Sequence, residues 1–338
     1  MTGGRNRSEQ MDVSDKISGG HGAASLGYLA LFILTALPVS SPQAVQAANK
    51  HQRVNSFYGQ PASAIFKRGN YAQAMRFANG ELAKNPGNAA AQVLKVELLG
   101  YQQRTQHQAL ALARKYFKQS PGSLDLERSL AHLLFLNEDN EEARKHYRHI
   151  VKKVPDDVDS LAFLSSLEHR LHNDDQALIL INRALKLEPK NSGNHYLKAR
   201  IYMHQKKDNL ALEALTQALK FQPGNIQALH KRAVLFTLKK DWTRALIDYN
   251  SLVKLNSSDY RTLEKRGFVL EKLGKNDLAL KDYSLALSKA PNHRPVLVAR
   301  ARLYDKLGSP KLAKKDRIRL KKLDSDLVPF SFAPDWTK

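Results

Sequence analysis

The chain has 338 residues, 42% hydrophobic and 25% charged, a balance that excludes wholesale disorder and allows two ordinary domains or one extended array. Its 54 Lys and Arg against 32 Asp and Glu give a formal charge of +22, a field that favours polyanions: nucleic acid, anionic lipid, acidic polysaccharide or an acidic protein. Cysteine is absent, which removes disulfides, thiolate metal sites and cysteine nucleophiles and is compatible with an oxidising compartment.

The first 47 residues differ from the rest. No Lys, Arg, Asp or Glu lies between Lys16 and Lys50, and within that gap Ala23–Val39 is a run of 17 mostly apolar residues. A membrane-spanning helix needs about 20, so the run is short for a span but long enough for the apolar centre of a secretory signal. Pro42 breaks the helix downstream, and Val45 and Ala47 stand three and one residues before a cleavage point at Ala47–Ala48. The pattern predicts a cleaved signal peptide over residues 1–47. An uncleaved inner-membrane anchor over 23–39 and a buried core helix are the alternatives. The leader is mixed in charge: Arg5, Arg7 and Lys16 are offset by Glu9, Asp12 and Asp15, and Met11 is a second candidate start. On the first two readings the basic body is exported, into the periplasm if the host is a Gram-negative bacterium. Cleavage would remove three basic and three acidic residues, so the body keeps its charge of +22.

After a spacer over 48–54, one pattern repeats from residue 55 to 325. Pro86, Pro121, Pro155, Pro189, Pro223, Ser257 in proline's place, and Pro291 follow one another at 34 residues, the first step alone being 35. Such a period predicts two antiparallel helices per unit, the second ended by a proline that has no N–H to donate. Ala74, Ala109, Ala143, Ala177, Ala211, Ala245 and Ala279 stand twelve residues before each mark, and Ala313 continues the count into an eighth unit. Twelve residues earlier again, most units carry a second small residue: Ala131, Ser165, Ala199, Ala233, Gly267 and Ala301. Small side chains let paired helices approach closely, and Leu134, Tyr147, Tyr202, Phe236, Tyr249, Leu270, Tyr283 and Tyr304 are expected to fill the space around them. Three departures fall in the end units, which face water: Glu97 at the early small position of the second unit, Glu81 at a small position of the first, and Arg317 at a large apolar position of the eighth. Ala214 is expected on the outer, exposed side of its helix.

The segment Leu263–Pro291, LEKRGFVLEKLGKNDLALKDYSLALSKAP, carries a Gly, Leu-Gly, Ala, Tyr, Ala and Pro in a register that resembles the tetratricopeptide repeat (TPR) family. The resemblance covers residues 55–325 and implies an all-α fold, a right-handed superhelical solenoid of about eight antiparallel helix pairs. It also implies that the first helix of each unit lines a concave groove. On this chain those positions hold Arg128, His132, Phe135, His169, Arg170, Tyr196, Arg200, Met203, His204, His230, Arg261, Phe268, Lys272 and Arg302. Basic residues interleaved with aromatics suit an acidic peptide or an anionic polysaccharide, through charge-assisted hydrogen bonds and stacking. Chaperone-binding members of the family clamp a terminal carboxylate with asparagines and lysines. Here the clamp-type positions read Ser129, Phe163, Leu197 and Lys231, which does not support that function.

No phosphate-cradling glycine loop, HExxH pair, GxSxG elbow or EF-hand loop is present, so no enzyme activity and no cofactor are expected. His146 with His149 and His169 with His172 place two imidazoles on one helix face, but a metal needs a third ligand. Arg148 and Arg170 stand beside them, so solvated or packed histidines are expected and no metal. The helix from Lys311 carries seven basic residues against three Asp up to Asp326, a solubilising cap or a polyanion contact. The tail 326–338, with Phe330, Phe332 and Trp336, is expected to fold over the last unit or to dock a partner. The sequence thus points to an exported, non-enzymatic TPR scaffold for protein partners, serving secretion, pilus or exopolysaccharide assembly. The alternative is a module whose groove holds an anionic polymer directly. Nucleic acid fits the charge but conflicts with export, and membrane contact rests on the N-terminal segment.

Overall fold

The computed structural model describes residues 69–256 and 259–325. The signal or anchor, the spacer, the first helix of the first unit, Ser257 and the tail 326–338 lie outside the described residues. Those described form fifteen α-helices: α1 (Tyr71–Lys84), α2 (Ala89–Tyr101), α3 (Gln106–Gln119), α4 (Leu124–Leu136), α5 (Asn140–Lys153), α6 (Val158–Arg170), α7 (Asp174–Leu187), α8 (Ser192–His204), α9 (Asp208–Phe221), α10 (Ile226–Leu238), α11 (Trp242–Leu255), α12 (Tyr260–Lys272), α13 (Asn276–Lys289), α14 (Arg294–Lys306) and α15 (Pro310–Ser325). Even-numbered helices open the units and odd-numbered helices close them. Each packs mainly on its neighbours in sequence, giving an all-α solenoid. The even-numbered helices also approach one another, α2 to α4 and α6 to α8, whereas the odd-numbered ones stay further apart, so the even helices lie on the inner, concave side.

Local chemistry fixes where each helix starts and stops. Each proline mark lies two residues beyond an odd-numbered helix, and the residue before it is driven out of the helical region, as at Asn85 with φ −142° and ψ 96°. Two residues after the mark comes an N-cap, and at Asn88, Ser123, Asp157, Asn191, Asn225 and Asp259 its side chain accepts a backbone N–H that the helix leaves unbonded, whereas His293 before the last pair makes no such bond. The second unit turns through the 3-10 segment Gln103–Thr105, whereas the reverse turn inside the third to eighth units takes one residue in the left-handed region. Glu138, His172, Lys206 and Lys240 take it at φ 58° to 63°, and Gly274 and Gly308 take it in the last two units.

The core is built where the sequence placed it. Ala131, Ser165, Ala199, Ala233, Gly267 and Ala301 are buried, and Tyr147, Tyr249 and Tyr283 are buried opposite. At Gly267 the helices leave no room for a side chain: a Cβ there would lie 2.7 Å from Cε1 of Tyr283. Two details differ from expectation. The extra residue of the second unit falls after α2, in the 3-10 turn Gln103–Thr105, so Val96 and not Glu97 takes the early small position, fully buried. Glu97 sits one residue on, exposed and aligned with His132 on the groove side. Ala214 is buried, 5% exposed. Arg317, as expected of an end unit, is exposed and pairs with Asp305 where Tyr283 is buried one unit earlier.

Ala214 is buried because its position belongs to an inter-unit ladder. Sixteen residues separate each of three arginines from an aspartate in the next helix: Arg232 from Asp248, Arg266 from Asp282 and Arg300 from Asp316. Each guanidinium grips its carboxylate through Nε and Nη2 at 2.7–2.9 Å. Nη1 reaches back to Thr216, Asn250 or Ser284 in the preceding unit at 3.0–3.2 Å. The aspartates are buried, so planar bidentate bonds must offset their lost hydration. One unit earlier the same positions hold Lys198 and Ala214, and an open cavity of about 630 Å³ lies there, walled by both with Tyr202, Phe236 and Arg244.

Two expected outcomes follow in unfolding experiments. Lys206→Gly should raise stability by about 0.5–1 kcal/mol by relieving the left-handed residue, net of glycine's chain entropy, and Gly274→Ala, with open space around its Cβ, should cost about 1. Asp282→Ala should cost about 2–4 kcal/mol by leaving Arg266 without its carboxylate, whereas Arg114→Ala, at an exposed pair with Glu142, should cost under about 1. Equal losses at the two arginine pairs would refute the ladder's structural role.

Candidate functional site

A helix repeats its faces every three to four residues, so positions two, five, nine, twelve and thirteen of each even-numbered helix share the concave side. The groove candidates fall there, and the fold sorts them into three groups.

The first group is engaged within the protein. Arg128 bonds Asp157, the N-cap of the next unit, at 2.6 and 3.0 Å and Asp125 at 2.9 Å, so it links two units. Arg170 lies 4.0 Å over the Phe135 ring and donates to Asn140 at 3.2 Å. Arg302 reaches Glu271 at 3.1 Å. His169 and His204 converge on one carboxylate: Nδ1 of His169 is 2.7 Å from Oδ1 of Asp174, and Nδ1 of His204 is 2.5 Å from Oδ2. Both imidazoles help hold the Asp174 carboxyl below its ordinary range, against the opposing effect of its burial.

The second group is held neutral. Burial pushes the His132 pKa down to about 4, with its ring 5.1 Å from Phe163. His230 is lowered by burial and then by Lys265 and Lys231. Neither carries charge to a ligand at neutral pH.

The third group is free of salt bridges. Arg200 is partly buried yet makes no hydrogen bond or salt bridge with the described residues, and it occupies the same helix as Tyr196 and Met203. Burial raises the Tyr196 phenol pKa, with Arg200 acting in the opposite direction. Arg261 stacks 5.2 Å from the Tyr260 ring and Lys272 5.2 Å from the Phe268 ring, neither with a carboxylate partner among the described residues. Phe268 stands edge-on to Trp242 at 6.0 Å.

Several groove residues escape a search for basic and aromatic side chains. Glu97, Asp125 and Asp159 occupy groove positions in the second, third and fourth units. Burial, then Asp157 and Glu188, raise the Asp159 carboxyl above its usual range. Phe163 stacks on Tyr147 at 5.4 Å and meets Phe135 edge-on at 5.3 Å. Carboxylates also stand at groove positions further along, Glu264 and Glu271 in the seventh unit and Asp305 in the eighth, but these pair with His293, Arg302 and Arg317, while Arg200, Arg261 and Lys272 make no salt bridge among the described residues. The other histidine pair is also held by a carboxylate, since His146 and His149 each bring Nδ1 to Glu127, at 3.0 and 2.7 Å.

The His132 shift sets a pH dependence. Its folded pKa lies below the ordinary 6.5, so between about pH 6.5 and about 4 the unfolded chain binds a proton that the folded chain refuses. This residue's contribution to stability therefore falls as the pH drops through that window. His132→Leu should lose that slope, and its stability relative to wild type should improve as the pH is lowered. A constant difference across the window would show that the imidazole titrates normally in the fold.

Comparison with known proteins bears on the fold. A family model described as the TT21 fifth ARM repeats domain matches residues 127–231, under a third of the chain. No curated protein matches the sequence. Among solved structures, the Cut9–Hcn1 hetero-tetramer of APC/C is similar over 85% of this chain and 57% of that chain, with 16% identity and a TM-score of 0.51. YrrB, described as a TPR protein with an unusual peptide-binding site, shares 15% identity over 56% of this chain and 97% of its own, with a TM-score of 0.47. MamA residues 41 to the end from Desulfovibrio magneticus RS-1 shares 14% over 50% and 96%, also with a TM-score of 0.47. These identities speak to fold alone.

Proposed function

We propose that this chain, a tetratricopeptide-repeat protein by its 34-residue period and its stacked helix pairs, is a non-enzymatic scaffold that holds an acidic segment of a partner protein against the concave face of its fifth to seventh units. Residues 1–47 direct it to the cell envelope, where it serves the assembly of a secretion, pilus or exopolysaccharide apparatus. The observation that carries the reading is Arg200: a partly buried guanidinium on the groove side with no hydrogen bond or salt bridge to the described residues. Burying a cation without a partner is costly, and its neighbours in the repeat, Arg128 and Arg170, both find polar partners inside the protein. Arg261 and Lys272, stacked on aromatic rings and without a salt bridge to the described residues, extend the cationic surface two units further.

Affinity capture from the native envelope, using the body without residues 1–47, supplies the partner. Arg200→Glu should then weaken binding at least tenfold with helical content unchanged, because reversal removes one attraction and adds one repulsion. Arg183→Glu and Lys220→Glu, on the outer helices α7 and α9, should have little effect. Equal loss at the outer positions would mean that the charge acts diffusely. Binding that collapses with salt and is competed by an acidic polysaccharide rather than by the partner's acidic segment would favour a polymer-holding groove instead.

A further inference from the structure

We propose that His169, Asp174 and His204 bind a divalent transition-metal ion of the class that prefers imidazole, such as zinc, nickel or copper, at the junction of the fourth and fifth units. The three residues come from three helices: His169 near the end of α6, Asp174 at the start of α7 and His204 at the end of α8. Among the described residues they are the one set of three such side chains whose donor atoms all lie within 4.8 Å of one another. Zinc sits about 2.0–2.2 Å from imidazole nitrogen and carboxylate oxygen, so ligands around it stand roughly 3–3.5 Å apart. The two nitrogen–carboxylate distances, 2.7 and 2.5 Å, need only slight opening to admit the ion. Neutral imidazole serves as the ligand once the ring proton moves from Nδ1 to Nε2, which frees the Nδ1 lone pair without a net change of charge.

The surroundings suit a cation better than the chain's overall charge suggests. Arg148, expected to oppose one, is held by the buried Glu168 at 2.7 Å. Arg170 turns away to Phe135 and Asn140. The adjoining cavity, about 530 Å³, is lined by Glu168, Asp174 and Asp175 as well as Arg148, and by His172, whose ring lies 5.3 Å from that of His204. Asp174 and His169 are anchored in the wall with about a tenth of their side chains exposed, while His204 is 46% exposed, so one side of the site remains open to a further ligand.

Packing does not require this set. The positions equivalent to His169 hold Phe135, Met203, Thr237 and Glu271 in other units, and those equivalent to His204 hold Leu136, Arg170, Leu238 and Lys272. The Glu127 cluster provides the internal contrast, because it also joins two imidazoles to a buried carboxylate but does not draw three donors so close.

The test uses the untagged full chain, stripped with chelator, and zinc alone as the probe, so it stands apart from the anionic-partner reading. Calorimetry and competition with a chromophoric chelator should find one zinc per chain. His204→Gln should weaken it at least tenfold, and this variant should keep the fold because the ring is nearly half exposed. Asp174→Asn should weaken it likewise, while His149→Gln should leave it unchanged. X-ray absorption of the zinc-loaded protein should show two imidazoles. Absence of saturable binding, or binding that survives His204→Gln, overturns the proposal. So does binding lost in His149→Gln with His204→Gln unaffected.

Discussion

The close approach of the two helices within a pair, made from the third unit to the eighth at an alanine, serine or glycine against bulky apolar side chains, is the contact on which the rest of the solenoid depends. At Gly267 the space is so filled by Tyr283 that a single methyl group would collide with the ring. Pairs held this closely can stack, and stacking is what buries the apolar faces that one pair alone would leave in water. The short turns then do little more than stop one helix and cap the next, which is why proline and an Asn, Ser or Asp suffice at the unit boundaries.

Stacking is achieved by two different chemistries along one repeat. In the third and fourth units the seventh position of the first helix is Leu130 or Leu164, both buried. In the sixth to eighth it is an arginine clamped to a buried aspartate and bonded back to the preceding unit. The fifth unit, with Lys198 and Ala214, belongs to neither pattern, and the cavity lies there. Much of the arginine content is therefore structural and internally neutralised, as Arg128 with Asp157 also shows. The net charge alone says little about the groove; what matters is which cations lack a carboxylate.

Whatever depends on period was legible in the sequence: the helix pairs, the small contact residues, the buried tyrosines and the proline stops. A one-residue insertion defeated the period locally, because its position inside the second unit decides whether Val96 or Glu97 meets the neighbouring helix, and only the turn after α2 settles that. The ladder was hidden for another reason. Arg at one register and Asp sixteen residues later are both unremarkable on a charged helix, and their burial is a property of the facing helices. Ala214 was misplaced for the same cause: its register carries aspartate in three units and is buried in all of them. Within the groove, the residue types were legible but their availability was not, since pairing with Asp157, Glu271 or Asp174 depends on contacts across units.

This last point connects the two proposed binding surfaces. A superhelix repeats one helix face at every step, so residues 34 or 35 apart become neighbours, and chemistry distributed across units converges without any local motif. His169 and His204 are 35 residues apart and share one carboxylate. Arg200 and Arg261 are 61 apart and belong to the same face of their helices. Where the repeat supplies a counter-charge, as at Asp174 or Asp157, the convergence closes on itself and stiffens the junction. Where the described residues supply none, as at Arg200, the cation stands on the groove side without a salt bridge, and the proposed anionic partner is what would complete the pair.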